Sequence, residues 1–187
     1  SLFSINSIEP TNLEPMLHPT HVVIVNHFQA SWDLPALGHA IASRIRKLCF
    51  IAPYTDADRS MFPDWRPGKD AVFISEAEFT RKERDGEFDL THHVLGKKPH
   101  FGLHHEDMVT TILRGQVPLL LLRPESYQLL NAQRSSNGED MITHILPSLP
   151  KTPVEVEAMA QELADLINFE MSPSLFDGVP EAVLVRK

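Results

Sequence analysis

Apolar residues fall along this chain in short β-branched runs separated by stretches of helical spacing. His21–Val25 (HVVIV) predicts a strand buried on both faces of a mainly parallel sheet. Leu34, Leu37, Ala40, Ile41 and Ile45 then recur as one helix face, with Ser31 placed to cap the helix and Pro35 tolerable in its first turn. Residues 47–52 predict a second strand, 54–69 a loop rich in Asp, Pro and Arg, and 71–74 a short strand. Ser75 with Glu78 three residues later is a capping-box signal for a helix that Gly86 stops. Residues 88–95 alternate weakly, as a strand ending at a turn around Gly96. Residues 104–113 read as a helix closed by Gly115, and Val117–Leu122 as an apolar strand in which Pro118 is awkward. A short helix at 126–132, a loop at 135–139 and a strand at 141–146 come next. A helix at 154–167 places Val156, Met159, Ala160, Leu163 and Ile167 on one face, and 176–185 forms a terminal element. Strands alternating with helices imply an α/β fold.

Composition narrows the class. The 187 residues suit one domain with a sizeable core; 42% hydrophobic and 22% charged is the balance of a folded globular chain. Residues 1–20 are polar, proline-bearing and without period, the expectation being an arm or linker before a domain at 21–187. The formal charge of -8 argues against nucleic acid as a partner. No apolar run is long enough to span a bilayer, so direct membrane insertion is not expected. Cys49 is the single cysteine, which excludes an intrachain disulfide and points to a reducing, cytoplasmic setting.

An ordered series of motifs then carries a resemblance. Residues 66–73, RPGKDAVF, resemble the guanylate kinase segment in which Arg-Pro-Gly-Glu precedes Asp-Tyr-x-Phe. Residues 74–88, ISEAEFTRKERDGEF, are similar to that family's Phe, helix and Gly-x-Phe. Residues 96–102, GKKPHFG, resemble the family's Gly-x-x-Tyr-Gly turn with two residues added. His144-Ile145-Leu146-Pro147 stands where the family has a strand ending in Ile-Leu-Pro-Pro. The resemblance implies a guanylate-kinase-like fold: a central, mainly parallel sheet flanked by helices, a smaller GMP-binding-like β subdomain at about 54–103, and a reduced lid.

It also implies what the bend after the first strand should contain. Guanylate kinases place a Walker-type loop there, whose backbone amides and lysine surround phosphate. Residues 26–33, NHFQASWD, hold no Gly, Lys or Arg, and Asp33 adds negative charge. Without glycine, close backbone approach to a phosphate is strained. Without a cation, the charge neutralisation on which phosphoryl transfer depends is missing. By the same resemblance Ala71 and Phe101 stand for two tyrosines that contact the GMP phosphate, and Leu90 for the carboxylate that reads guanine. Leu119–Leu122 replaces an acidic strand position, and the lid at 148–153 keeps only Lys151. Arg59 and Arg66 remain as phosphate contacts.

The expectation is therefore a catalytically inactive domain with no cofactor, metal or bound nucleotide, its former loop (Asn26, His27, Ser31, Asp33) degenerate. Its role would be a scaffold binding a peptide or helix of a partner protein, as in membrane-associated guanylate kinase homologues. That fits a cytoplasmic setting at a membrane- or cytoskeleton-associated complex; phosphorylation dependence and oligomeric state stay open. The expected contact surface is bounded by Trp32, Tyr54, Phe62, Trp65 and Phe101, with Arg59 and Arg66 as candidate contacts, since tryptophan favours binding hot spots. Two alternatives stand beside it: a nucleotide-binding enzyme with a divergent phosphate loop using His27 and Asp33, and an architectural self-association domain. The histidines at 92, 93, 100, 104 and 105 read as structural or solvent-facing before metal ligands, because adjacent side chains point apart. Asp56, Asp58 and Asp64 read as a solvated acidic loop.

Overall fold

A computed structural model describes residues 19–28, 34–94, 97–136 and 140–171. The expectations for the arm and for the element at 176–185 lie outside these, apart from residues 19 and 20.

Four strands, β1 (His21–Val25), β2 (Leu48–Phe50), β7 (Val117–Leu122) and β8 (Met141–Ile145), form an all-parallel sheet in the order β2-β7-β1-β8. The period-two alternation of a strand divides β1 between two cores. Val22 and Ile24 face helices α1 (Leu34–Ala42) and α5 (Pro153–Met171), packing with Leu37, Ile41, Leu163 and Ile167. Val23 and Val25 face the other way, with Leu120, Leu122, Met108 of α3 (His105–Leu113) and Leu130 of α4 (Pro124–Ser136). Burial on both faces is why β1 and β7 carry no polar alternation.

The proline in β7 has a place that costs no hydrogen bond. Val117 donates to the Lys47 carbonyl at 2.7 Å and Leu119 accepts from Ile51 at 3.1 Å, so the polar groups of 117 and 119 face β2. Pro118 therefore turns its missing N–H toward β1, where the register begins only at Val22 opposite Leu119.

The second sheet has the order β4-β3-β6-β5: β3 (Tyr54–Thr55), β4 (Val72–Phe73), β5 (Phe88–Val94) and β6 (Lys97–His104), with α2 (Glu76–Arg84) joining β4 to β5. Here the structure corrects the sequence reading. Residues 96–102, read as a turn, lie mostly in β6, an eight-residue strand antiparallel to both β5 and β3. Its Gly102 and Pro99, with Gly96 just before it in the sequence, hid it. Pro99 falls at the register irregularity where His93 pairs with His100 and Val94 with Lys97, a place where a missing donor does no harm. Residues 54–69 are likewise not one loop: they hold β3 and a 3-10 turn at Arg59–Met61 capped by the Asp58 carboxylate. β2 is shorter than expected, and α4 and α5 longer, with 135–136 helical and 137–139 outside the described residues.

Two caps follow the sequence signals closely. The Ser75 hydroxyl accepts the Glu78 N–H at 3.1 Å, and Gly86 takes φ 72 at the end of α2. The segment read as a reduced lid, 148–153, feeds directly into α5. Thr152 accepts the Glu155 N–H at 3.1 Å while the Glu155 carboxylate accepts the Thr152 and Lys151 N–H groups, a closed capping box.

Candidate functional site

In open parallel sheets ligands sit outside the carboxyl ends of the strands. At that edge here a cleft of about 610 Å³ opens between the parallel sheet and the second sheet. Such a volume suits a small ligand or a few side chains of a peptide. Phe28, Leu34, Phe50, Trp65, Leu90 and Phe101 supply much of its apolar wall. Its polar groups are Asn26, Thr91, His92, Arg123, Glu125 and Ser126.

The bend after β1 is held by two devices. Buried Asn26 donates its N–H to the Leu122 carbonyl at 2.8 Å, and its side-chain oxygen accepts the Phe28 N–H at 2.9 Å. Arg123, the residue directly after β7, donates from Nη1 to the Phe28 carbonyl at 2.5 Å and the Asn26 carbonyl at 3.4 Å. The start of the bend thus turns two carbonyl oxygens toward a guanidinium. A phosphate-binding loop does the reverse, turning N–H groups toward an anion. His27 is exposed, its ring 4.3 Å from that of Phe28. Ser31, Trp32 and Asp33 lie outside the described residues.

The aromatic wall gathers some of the expected contact residues and separates others. Trp65 stacks on Phe62 at 4.0 Å and 12°, and Phe101 lies 6.3 Å from Phe62 and 6.5 Å from Trp65. Trp65 and Phe101 line the cleft, while Phe62 is buried and does not. Tyr54 belongs elsewhere. Its ring sits 5.0 Å from His104 and 5.8 Å from Phe88, with Lys82 Nζ of α2 5.6 Å from its centroid. Burial, and then the charge of Asp107, push its hydroxyl above the usual tyrosine range.

The two arginines differ. Arg66 is committed: its guanidinium meets Asp70 at 3.1 and 3.2 Å, and its backbone N–H donates to the same carboxylate at 2.6 Å. His39 Nε2 of α1 lies 3.0 Å from the same carboxylate, at Oδ1. Burial alone would raise the Asp70 carboxyl, but hydrogen bonds from Arg66 and the Arg66 and His39 charges outweigh it and hold it below the ordinary value. Arg59 stands exposed on its 3-10 turn, and neither arginine lines the cleft.

Asp56 corrects the solvated-loop reading for that residue. Its side chain is fully buried, accepts the His100 N–H at 2.7 Å and lies 2.6 Å from His100 Nδ1. Other histidines of the cluster have carboxylate neighbours of their own, His93 with Glu83 and His105 with Asp89. Among the described residues no three His, Cys, Asp or Glu converge as metal ligands. His92 alone of the five lines the cleft; burial lowers its imidazole pKa, Glu125 opposing and Arg123 adding to the shift.

Arg123, His92 and Glu125 were not found from sequence. The signal was available: an arginine closing the apolar run VPLLLL lands at the carboxyl edge where ligands bind. Among the described residues no helix is long and apolar enough to cross a membrane.

No protein-family model and no curated protein matches the chain. Among solved structures it is similar to the guanylate kinase from Anaplasma phagocytophilum, with a TM-score of 0.50 and 16% identity. The match covers 83% of this chain and 71% of that one. At that identity the likeness concerns architecture alone: the chain has a guanylate-kinase-like α/β fold.

Proposed function

We propose that this guanylate-kinase-like domain is a non-catalytic protein-interaction module whose cleft takes an apolar segment, a peptide or one face of a helix, from a partner protein. The observation that supports it most is the character of the cleft: Trp65 and Phe101, 6.5 Å apart, line it together with Phe28, Phe50 and Leu90, and its polar groups are few. Aromatic side chains on a pre-formed concave surface are the usual anchors of peptide recognition. The bend adds support, since residues 26–33 contain no Gly, Lys or Arg and its first carbonyls are occupied by Arg123. Phosphopeptide capture in the cleft is disfavoured because Arg66 is ion-paired with Asp70 and neither Arg66 nor Arg59 lines the cleft. The single cysteine, Cys49, is a free thiol and fits a reducing compartment.

Selection from a displayed random-peptide library tests this reading. The expected ligands share large apolar side chains, bind without phosphate, and lose about thirtyfold or more in affinity against Trp65→Ala, the size of a binding hot spot. Equal binding by Trp65→Ala would remove the cleft from the interface. Calorimetry with GMP, and with ATP and magnesium, is the second arm: micromolar binding would return the domain to nucleotide chemistry.

A further inference from the structure

At the opposite edge of the parallel sheet, where β2 and β7 begin, the turns leading into the two strands lie side by side, joined by the Val117 N–H to Lys47 carbonyl bond at 2.7 Å. Arg46, Lys47 and Arg114, with Gly115 and Gln116, line a shallow depression there of about 580 Å³. Several cations elsewhere are ion-paired: Arg44 with Glu157, Arg66 with Asp70, Arg81 and Lys82 with Glu87, Arg84 with Asp85, and Lys98 with Glu76. Arg46, Lys47 and Arg114 have no carboxylate within ion-pair distance among the described residues, although the chain carries a net charge of -8. Three like charges held together without a counter-charge mark a place for an external anion.

The surface beside them says which anion. Val109, Ile112 and Leu113, spaced i, i+3 and i+4, form the outward stripe of α3, while Met108 and Thr111 face inward. Leu113 is 81% exposed at the helix end, immediately before Arg114. The acidic residues of α3, Glu106 and Asp107, sit at its other end. A protruding apolar tip next to a cluster of cations is the arrangement of an interfacial helix end. A folded partner would have to supply a recess matched to Leu113, whereas a fluid bilayer closes around it.

We propose that this edge docks peripherally on an anionic lipid membrane, with Ile112 and Leu113 entering the interface and Arg46, Lys47 and Arg114 meeting lipid phosphates and acidic headgroups. The cleft, at the far edge of the sheet, then faces away from the bilayer. The proposal stands independently of what the cleft binds.

Co-sedimentation of the whole chain with phosphatidylcholine vesicles, with and without phosphatidylserine, tests it. Binding is expected only with phosphatidylserine and is lost at high salt, where the screening length shrinks to about 3 Å. Each of Arg46→Gln, Lys47→Gln and Arg114→Gln lowers partitioning about fivefold. Leu113→Asp, at an exposed position that leaves the thermal melt unchanged, also releases the protein. Failure to bind phosphatidylserine vesicles at low salt, or binding that ignores the three cation changes, overturns the proposal. So does binding of inorganic pyrophosphate in calorimetry with no vesicle binding, which would make the depression a soluble-anion site.

Discussion

In the parallel sheet Val22, Val23, Ile24, Leu119 and Leu120 are all fully buried, and the ladder is covered on both faces by apolar side chains. In the second sheet the buried groups include Asp56 and Asp70, and the strands and helix are joined by ring stacks and histidine–carboxylate contacts such as Asp56–His100 and Glu83–His93. The first is held by the hydrophobic effect, which is non-directional and independent of pH. The second depends on directional, partly charged contacts that are costly to leave half made. Two regions packed against each other in one chain therefore answer differently to the same perturbation.

The largest expected effect is in the parallel sheet. Leu119→Ala empties a fully buried site between α1, α5 and the strands. It should destabilise the fold by about 3 kcal/mol, which for a domain of this size lowers the melting temperature by roughly 10 °C. Urea unfolding with an unchanged slope checks it. A cost well under about 1 kcal/mol would mean that the sheet is not the rigid half.

Asp56→Ala is the matching experiment in the second sheet. It leaves the His100 N–H and ring without their acceptor in a buried setting, at an expected cost of about 2 kcal/mol. The sharper readout is location. Hydrogen exchange should quicken in β3 and β6 while β1 and β7 keep their protection. Equal loss in both sheets would show that they open as one unit, and the contrast would fall.

The same contrast explains what could be read from the chain. β1, β7 and α5 were legible because burial on both faces, or along one helix stripe, writes an apolar pattern. Ser75–Glu78 and Gly86 were legible because caps are local chemistry. β6 was not, since its place depends on partners remote in sequence and its Gly102 and Pro99 imitate a turn. For the site, Trp65 and Phe101 were found by residue type. Arg123 and His92 were missed, because only the strand order brings the end of β7 and the middle of β5 to one cleft. Tyr54 was misplaced for the same reason: alone it gives no sign that it stacks near His104 and Phe88.

A smaller effect is expected at Gly102, opposite Tyr54. A Cβ there would come within 2.8 Å of the Phe88 ring. The clash reaches Phe88 Cγ at the root of a ring packed against Phe79 and Tyr54, so the ring must shift as a body and Gly102→Ala should cost about 1.5 kcal/mol. The shift should appear in the amide resonances of β5 and α2, with those of β1 unmoved. A neutral or stabilised variant would show that the second sheet has slack at its centre.

The smallest effect is acid sensitivity confined to one region. Burial would raise the Asp70 and Glu83 carboxyls, but hydrogen bonds from Arg66 and from His93, with the neighbouring positive charges, leave both below their ordinary values. A carboxyl depressed in the folded state contributes stability above its unfolded pKa of about 4, lost as pH falls through the folded value. Asp107 works in the opposite sense: burial raises its carboxyl, so its penalty at neutral pH is relieved on acidification and offsets part of the loss. The parallel-sheet strands β1 and β7 contain no carboxylate, so acid should loosen the second sheet first. Amide spectra recorded between about pH 5 and pH 3 should show β3, β4 and β5 broadening before β1 and β7. Asp70→Asn with Glu83→Gln should flatten that response while lowering stability at neutral pH. Acid broadening that reached β1 and β4 together, or that persisted unchanged in the double variant, would assign the sensitivity to the fold as a whole.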